Sequence, residues 1–311
     1  MSFICPICRA NSSPDVLCPV TLGYDTEFDL VECQNCRATM LQPMPSVEQL
    51  AGFYAAEYYG SDWYRQRGLG MAFSRTHLRR EPPRKFLDVG CGVGYFIDGV
   101  RQKCDWSVCG VEFSQAAVEY ARQHLQLDVR HGELSQVNFP AENFDYIRIC
   151  NVLDHVLNPL DLMRECRRII TPNGRLHLSV PSGIADRAGL IRFYREQGKP
   201  PLSKDGHLYF FSKQTLLRIF EETGFRIVNS GTISLRRGLT NLGLFPRKRR
   251  WNAPYIWKER KNDFSKDEIN LPPEKKRPFI YYRYRYLRQY ARMLPGMFES
   301  GLEFKILLRP V

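Results

Sequence analysis

From about residue 84 onward, short apolar runs alternate with stretches of helical period. Residues 85–89, 107–112, 127–130, 144–150, 175–180 and 225–228 read as strands. Between them the spacing predicts helices starting near Gly94, over 114–125, from about 159 to 170, and over 215–223. Gly224 supplies a C-terminal cap signal for the last of these, and Pro172-Asn173-Gly174 predicts a turn. Repeated β-α-β alternation implies a largely parallel sheet with helices on both faces. Residues 302–308 form a seventh strand candidate, about 70 residues beyond the sixth. Upstream, residues 1–42 are short segments broken by Cys, Pro and Gly. Residues 46–59 look helical, with Ser46 as N-cap and Gln49 three positions on.

The pattern divides the chain into a small module (1–45), a helical connector (46–83), a core (84–235, completed by 300–311) and an insertion (236–299). No apolar run reaches the roughly 18 residues of a membrane-spanning helix. The first residues lack a basic region followed by an apolar stretch, so no secretory signal is expected. A reducing, cytoplasmic setting is the expectation, and with it metal binding rather than disulfides for the ten cysteines.

The segment Asp88-Val89-Gly90-Cys91-Gly92-Val93-Gly94 places three glycines where a strand becomes a helix. Such a turn tolerates φ > 0 and keeps side chains away from a ligand. The amides of the helix that follows can bind polar groups. Glu112 closes the next strand, where a carboxylate can accept hydrogen bonds from both ribose hydroxyls. Dinucleotide enzymes share this much. However, the Gly-x-Gly-x-Gly spacing is one residue tighter than theirs. Asp88, two positions before the first glycine, would repel a pyrophosphate but suits the ammonium of S-adenosylmethionine (SAM).

On these residues the sequence resembles the class I SAM-dependent methyltransferases, in particular the branch with an N-terminal zinc-binding module. Further stretches carry the resemblance: Gly132-Glu133-Leu134 before Phe139–Asp145, Asn151 through Pro159, and Gly206-His207-Leu208-Tyr209-Phe210-Phe211-Ser212. It covers roughly residues 5–230 and the terminal strand, not the insertion. It implies an α/β, Rossmann-like, seven-stranded sheet with the last strand antiparallel. To this are added a zinc-ribbon-like module and a basic helical insertion before the last strand. It also implies SAM across the carboxyl ends of the first strands, with Glu133 meeting the adenine amino group. The expected cofactor set is Asp88, Gly90, Cys91, Gly92 and Gly94 at the turn, Glu112 and Phe113 after the second strand, then Glu133, Leu134 and Asn151. Where the family has Glu-His after the fourth strand, this chain has Asp154-His155.

Cys5-Pro6-Ile7-Cys8 and Cys33-Gln34-Asn35-Cys36 are two knuckles that can supply four thiolates to a structural zinc. Arg9 and Arg37 stand where the family usually has glycine. An empty ribbon and a redox role remain alternatives.

Methyl transfer to oxygen benefits from a base. His155 and His207 are the candidates, with Asp154 orienting a neighbour, although a histidine after the fourth strand is often a packing residue. Tyr209 is a candidate pocket-lining residue. Between residues 236 and 292 lie 17 Lys+Arg against 5 Asp+Glu, so this one segment carries the whole net charge of +12. It contains Arg247-Lys248-Arg249-Arg250-Trp251 with Tyr255 and Trp257, and a Tyr/Arg run over 281–294. Read as a helix, that run puts Tyr282, Tyr286, Tyr290, Met293 and Leu294 on one face. This suits an anionic membrane surface or lipid-linked substrate over 247–294. A pocket lid or nucleic-acid stacking are the other readings. The expected function is methyl transfer to a hydroxyl or carbon of a sugar or lipid-linked small molecule, at the inner membrane surface if peripheral. An NAD-dependent oxidoreductase and a non-catalytic SAM- or nucleic-acid-binding module are the alternatives.

Overall fold

The computed structural model describes residues 3–22, 27–54, 63–78, 82, 84–203, 206–244, 269, 278–291 and 293–311. The core strands are β4 (Lys85–Val89), β5 (Ser107–Glu112), β6 (Val129–His131), β7 (Phe144–Cys150), β8 (Ile170–Pro181), β10 (Phe225–Ile233), β11 (Leu294–Pro295) and β12 (Glu303–Pro310). They form one sheet in the order β11-β10-β12-β8-β7-β4-β5-β6. The strands from β8 to β6 are parallel, while β12 runs antiparallel to both β8 and β10. The expected α/β sheet with its antiparallel last strand is therefore present. An eighth strand, β11, is a two-residue addition at the edge, too short to register as a period.

β4 lies at the centre with four of its five residues buried. β12 alternates half-buried and buried positions throughout, which is the two-residue period of its pleat. The turn expected at Pro172–Gly174 falls within the span of β8. There the register against β7 slips between Phe144↔Ile170 and Tyr146↔Arg175, so the turn signal marks an irregularity in a long strand.

Local chemistry sets the helix starts. In α1 (Val47–Phe53) the Ser46 hydroxyl accepts from the Gln49 amide while the Gln49 side chain accepts from the Ser46 amide, the capping box foreseen. The continuation of that helix to 59 lies outside the described residues. α2 (Tyr64–Phe73) comes next in the connector. α3 (Tyr95–Arg101) and α4 (Gln115–Leu125) follow β4 and β5. Asn158 caps α5 (Pro159–Ile169), which takes Pro159 in its first turn, and Ser212 caps α7 (Lys213–Glu222). α6 (Gly183–Gln197) and α8 (Leu235–Asn241) had no clear period in the sequence.

The N-terminal strands β1 (Asp15–Thr21), β2 (Glu27–Glu32) and β3 (Thr39–Gln42) form a second antiparallel sheet. Its fourth strand, β9 (Tyr209–Phe210), comes from the core, pairing Thr39 with Phe210 and Met40 with Tyr209. Arg187 of α6 donates to Glu32 and Thr39 across the same junction. Buried side chains of both sheets belong to one apolar cluster.

Of the insertion, α9 (Phe279–Ala291) is described, while 245–268 and 270–277 lie outside the described residues. The basic cluster at 247–251, with Tyr255 and Trp257, therefore falls outside them. Of the expected Tyr face of α9, Tyr282 and Tyr286 are turned inward, and the Tyr290 side chain lies outside the described residues. Tyr282 and Tyr286 are buried, the Tyr282 ring lies over Gly68 of α2, and the Tyr286 hydroxyl bonds His77 Nε2 at 2.9 Å. The helix ends at Ala291, so Leu294 belongs to β11 and Met293 packs on Gly231. What α9 exposes is Ile280, Tyr284 and Leu287, with Arg283 and Arg288 exposed on the same helix.

Candidate functional site

The glycine turn sits at the carboxyl end of β4, between β5 and β7. Gly90 (φ 68°), Gly92 (φ 55°) and Gly94 (φ 83°) all take left-handed backbone. Space is as decisive as φ. A Cβ at Gly90 would lie 2.3 Å from Val152 of the β7 loop, and one at Gly92 would lie 2.4 Å from the Trp63 indole. Cys91 turns its thiol inward against Gly110, and burial pushes that thiol well up. Any part it takes in binding is therefore through its backbone.

Glu112, at the end of β5, is 8% exposed. One of its oxygens accepts from the Gly92 amide at 2.8 Å, the other from the Ser114 amide at 2.9 Å. The carboxylate is thus fixed against the turn, and each oxygen keeps a lone pair for a diol.

Asp88 stands elsewhere than the sequence suggested. Its carboxylate is wholly buried beneath the turn, and both oxygens accept from Arg148 of β7 at 2.7 and 3.0 Å. The guanidinium also lies 3.7 Å from the centre of the Phe96 ring. Burial outweighs the pull of Arg148 and raises the Asp88 carboxyl to about 6. In this structure Asp88 meets a protein cation rather than an open site.

Phe113 is half-buried, and its carbonyl accepts from His131 Nε2 at 2.9 Å. Glu133 is exposed and caps the short turn Leu134–Gln136, whose Leu134 is buried in the core. Asn151 is exposed with φ 53°, its amide bonded to the Ser179 carbonyl.

The loop that places Val152 on the glycine turn continues into Asp154 and His155. Asp154 is 1% exposed. Its carbonyl accepts from the Leu208 and Tyr209 amides, which draws His207 alongside. His155 Nε2 lies 3.4 Å and His207 Nε2 3.3 Å from the same Asp154 Oδ2. Behind them, His207 Nδ1 lies 2.7 Å from Asp186 Oδ2, and His155 Nδ1 lies 3.2 Å from the Gly206 carbonyl and 2.7 Å from the Tyr54 hydroxyl. The sequence foresaw Asp154, His155 and His207 and the structure brings them together. It missed Asp186, Tyr54 and Trp63. Asp186 rides on α6, whose close approach to Phe210 requires Gly183, since a Cβ there would lie 2.0 Å from the Phe210 carbonyl carbon. Tyr209 is not a lining residue. It is 2% exposed, stacks on Phe211 and donates its hydroxyl proton to the Leu157 carbonyl.

The four knuckle sulfurs also converge, all within 4.8 Å of one another, with Cys5–Cys36 and Cys8–Cys33 each at 3.7 Å. Zn–S bonds of about 2.3 Å in a tetrahedron require edges of about 3.8 Å. Arg9 and Arg37 both adopt φ 60°, so these arginines accept the left-handed knuckle position. The hydrogen bond from Cys36 draws the Cys5 thiol down to about 5, and the same bond pushes Cys36 far up.

A family model described as a methyltransferase domain matches residues 62–230, more than half of the chain. The chain is 26% identical over 160 residues to a protein of Mycolicibacterium smegmatis named a probable S-adenosylmethionine-dependent methyltransferase, covering 51% of this chain and 58% of that one. It is 33% identical over 136 residues to a ubiquinone biosynthesis O-methyltransferase of Histophilus somni, covering 40% of this chain and 57% of that one. The chain thus spans a little over half the length of these relatives. Among solved structures, the complex of the Haloferax volcanii Trm112 methyltransferase activator with a methyltransferase shares the fold, with TM-score 0.50, 17% identity, and 86% and 98% of the two chains covered.

Proposed function

We propose that this chain, a member of the methyltransferase-domain family, is a SAM-dependent methyltransferase that methylates a hydroxyl or carbon of a small acceptor, a sugar or lipid-linked metabolite. The family match sets aside the NAD-dependent oxidoreductase alternative. The observation that carries the proposal is adjacency: Glu112 is locked to the glycine turn by the Gly92 amide, and the Asp154–His155–His207 cluster stands on the next loop, in contact with that turn through Val152.

SAM, when bound, supplies a methyl group on a sulfonium; the methyl–sulfur bond breaks as the acceptor atom bonds to the methyl, and a neutral thioether leaves. Glu112 would hold the ribose diol, Glu133 the adenine amino group, and the turn around Gly90, Cys91, Gly92 and Gly94 the amino-acid end, flanked by Phe113, Leu134 and Asn151. Asp88 would act from beneath the turn by anchoring it to Arg148. The acceptor hydroxyl proton would pass to the His155/His207 pair, where Asp186 at Nδ1 stabilises an imidazolium on His207. The four cysteines would hold a structural zinc with no open position for substrate.

The exposed stripe of Ile280, Tyr284 and Leu287, with arginines beside it, supports a lipid-linked acceptor met at an anionic surface. No helix among the described residues is long and apolar enough to cross a membrane. Calorimetry with SAM and its demethylated product tests the cofactor, and binding of both is expected. Transfer of labelled methyl to separated lipid, sugar and RNA fractions tests the acceptor. Label in the lipid or sugar fraction is expected, and label in RNA alone overturns the proposal.

A further inference from the structure

Asp154 is buried to 1% exposure, and neither of its carboxylate oxygens accepts a hydrogen bond. Leaving a buried carboxylate so is costly unless a cation attends it. Two imidazole nitrogens face it at 3.3 and 3.4 Å, and each ring has partners behind it that suit a proton on Nδ1. Asp186 Oδ2, as a carboxylate oxygen, can only accept, so His207 Nδ1 carries the proton. On His155, Nδ1 lies near the Gly206 carbonyl, which can only accept, and the Tyr54 hydroxyl, which can also accept, so a proton on Nδ1 serves both. In the neutral imidazoles both Nε2 atoms are then lone-pair atoms. Three electron-rich atoms, Asp154 Oδ2 and the two Nε2, lie within 4.8 Å of one another. A positive charge held among the three would satisfy the buried carboxylate.

We propose that Asp154, His155 and His207 form a second metal site, for a divalent ion of the zinc class. The spacing suits it. Zn–N and Zn–O bonds of about 2.0–2.1 Å at tetrahedral angles separate ligand atoms by about 3.3 Å, as the two carboxylate–imidazole pairs are. The outer partners suit it too, because a ligating histidine characteristically donates its other N–H to a carboxylate or a backbone carbonyl. Two imidazoles with one carboxylate favour zinc, cobalt or iron over magnesium, whose preferred ligands are all oxygen. Three protein ligands also leave a coordination position open, unlike the four-cysteine cluster. An acceptor hydroxyl there would be polarised and would lose its proton to solvent more readily, so that with the metal bound the two imidazoles act as ligands and the metal takes over their part in activating the acceptor. The inference deepens the acceptor-side part of the function proposed above and rests on it only for what fills the open position. The metal itself is measured without turnover.

The test is metal content of the full chain after loading with excess zinc and desalting. Two zinc per chain are expected for the wild type, and one for Asp154→Asn and for His207→Gln. Loading with cobalt identifies the site lost: the thiolate-to-cobalt charge-transfer band of the cysteine cluster should persist in both variants while total cobalt halves. Thermal midpoints confirm that the variants are folded, and if one is not, the other decides. Magnesium in large excess should leave the second zinc in place. Equal metal content in wild type and folded variants overturns the proposal, as does loss of the charge-transfer band with no other change. Failure of SAM binding with two zinc still bound would sink the methyl-transfer chemistry and leave this site standing.

Discussion

A few side chains bear opposite burdens around the glycine turn. Glu112 offers a pre-placed carboxylate, fixed by two backbone amides. Charge-assisted hydrogen bonds are worth about 1.5–3 kcal/mol, so Glu112→Gln should weaken SAM binding by about 10- to 100-fold in calorimetry, and because its amide nitrogen cannot accept from a backbone N–H, one anchoring bond is lost and the thermal midpoint should fall as well. Asp88 and Arg148 are a different matter, since the carboxylate is wholly buried, the guanidinium is only slightly exposed, and each is the other's counter-charge. Arg148→Met leaves an uncompensated carboxylate and should cost about 3–5 kcal/mol, read from the urea midpoint. Asp88→Leu combined with Arg148→Met should recover most of that loss. Recovery of less than half would mean that the pair does more than neutralise itself.

Among the elements, α9 shows how a correct period can carry an incorrect direction. The sequence makes Tyr282 and Tyr286 one face of a cationic helix, and so they are. That face is nevertheless spent on α2 and on His77, and the helix offers Ile280, Tyr284 and Leu287 outward instead. Burial lowers His77 from 6.5 to about 4, and His177, 6.1 Å away beside Phe73, is also held neutral by burial. A histidine with a depressed pKa contributes stability that is present above about pH 6.5 and drains away as pH falls toward about 4. For one group the slope reaches about 1.4 kcal/mol per pH unit. Asp88, raised to about 6, acts in the opposite sense over the same window, so the comparison must be between variants. His77→Gln should flatten the acid limb of the stability profile by up to that slope, and an unchanged profile would refute the role. The core strands were legible because each is an apolar run bounded by turn residues. α6 was not: Gly183, Ala185 and Gly189 are buried for close approach, which leaves little apolar stripe to see. Asp186 was hidden with it.

At the scale of the whole molecule, the sequence divides cleanly where the structure does not. The cysteine module and the core share a sheet through β9, a cluster through Arg187, Glu32 and Thr39, and a single apolar interior. Nothing in residues 1–45 hints at that, because a two-residue strand at 209–210 has no period of its own. Stripping the proposed zinc from the cysteine cluster should therefore lower the unfolding temperature of the entire chain as one transition. Two separated transitions in calorimetry would show that the module and the core melt independently.

β9 begins two residues after His207, and the amide of Leu41 holds the Leu208 carbonyl. The N-terminal module is thus a splint for the histidine loop, and residue 45 is no place to cut. A chain shortened there to suit an expression plan would keep every residue of the proposed cofactor site, yet it would expose the edge of β9 to any passing strand. Such a truncated protein should still bind SAM while losing order at residues 206–209, and it should be prone to aggregate along the edge that β3 had covered.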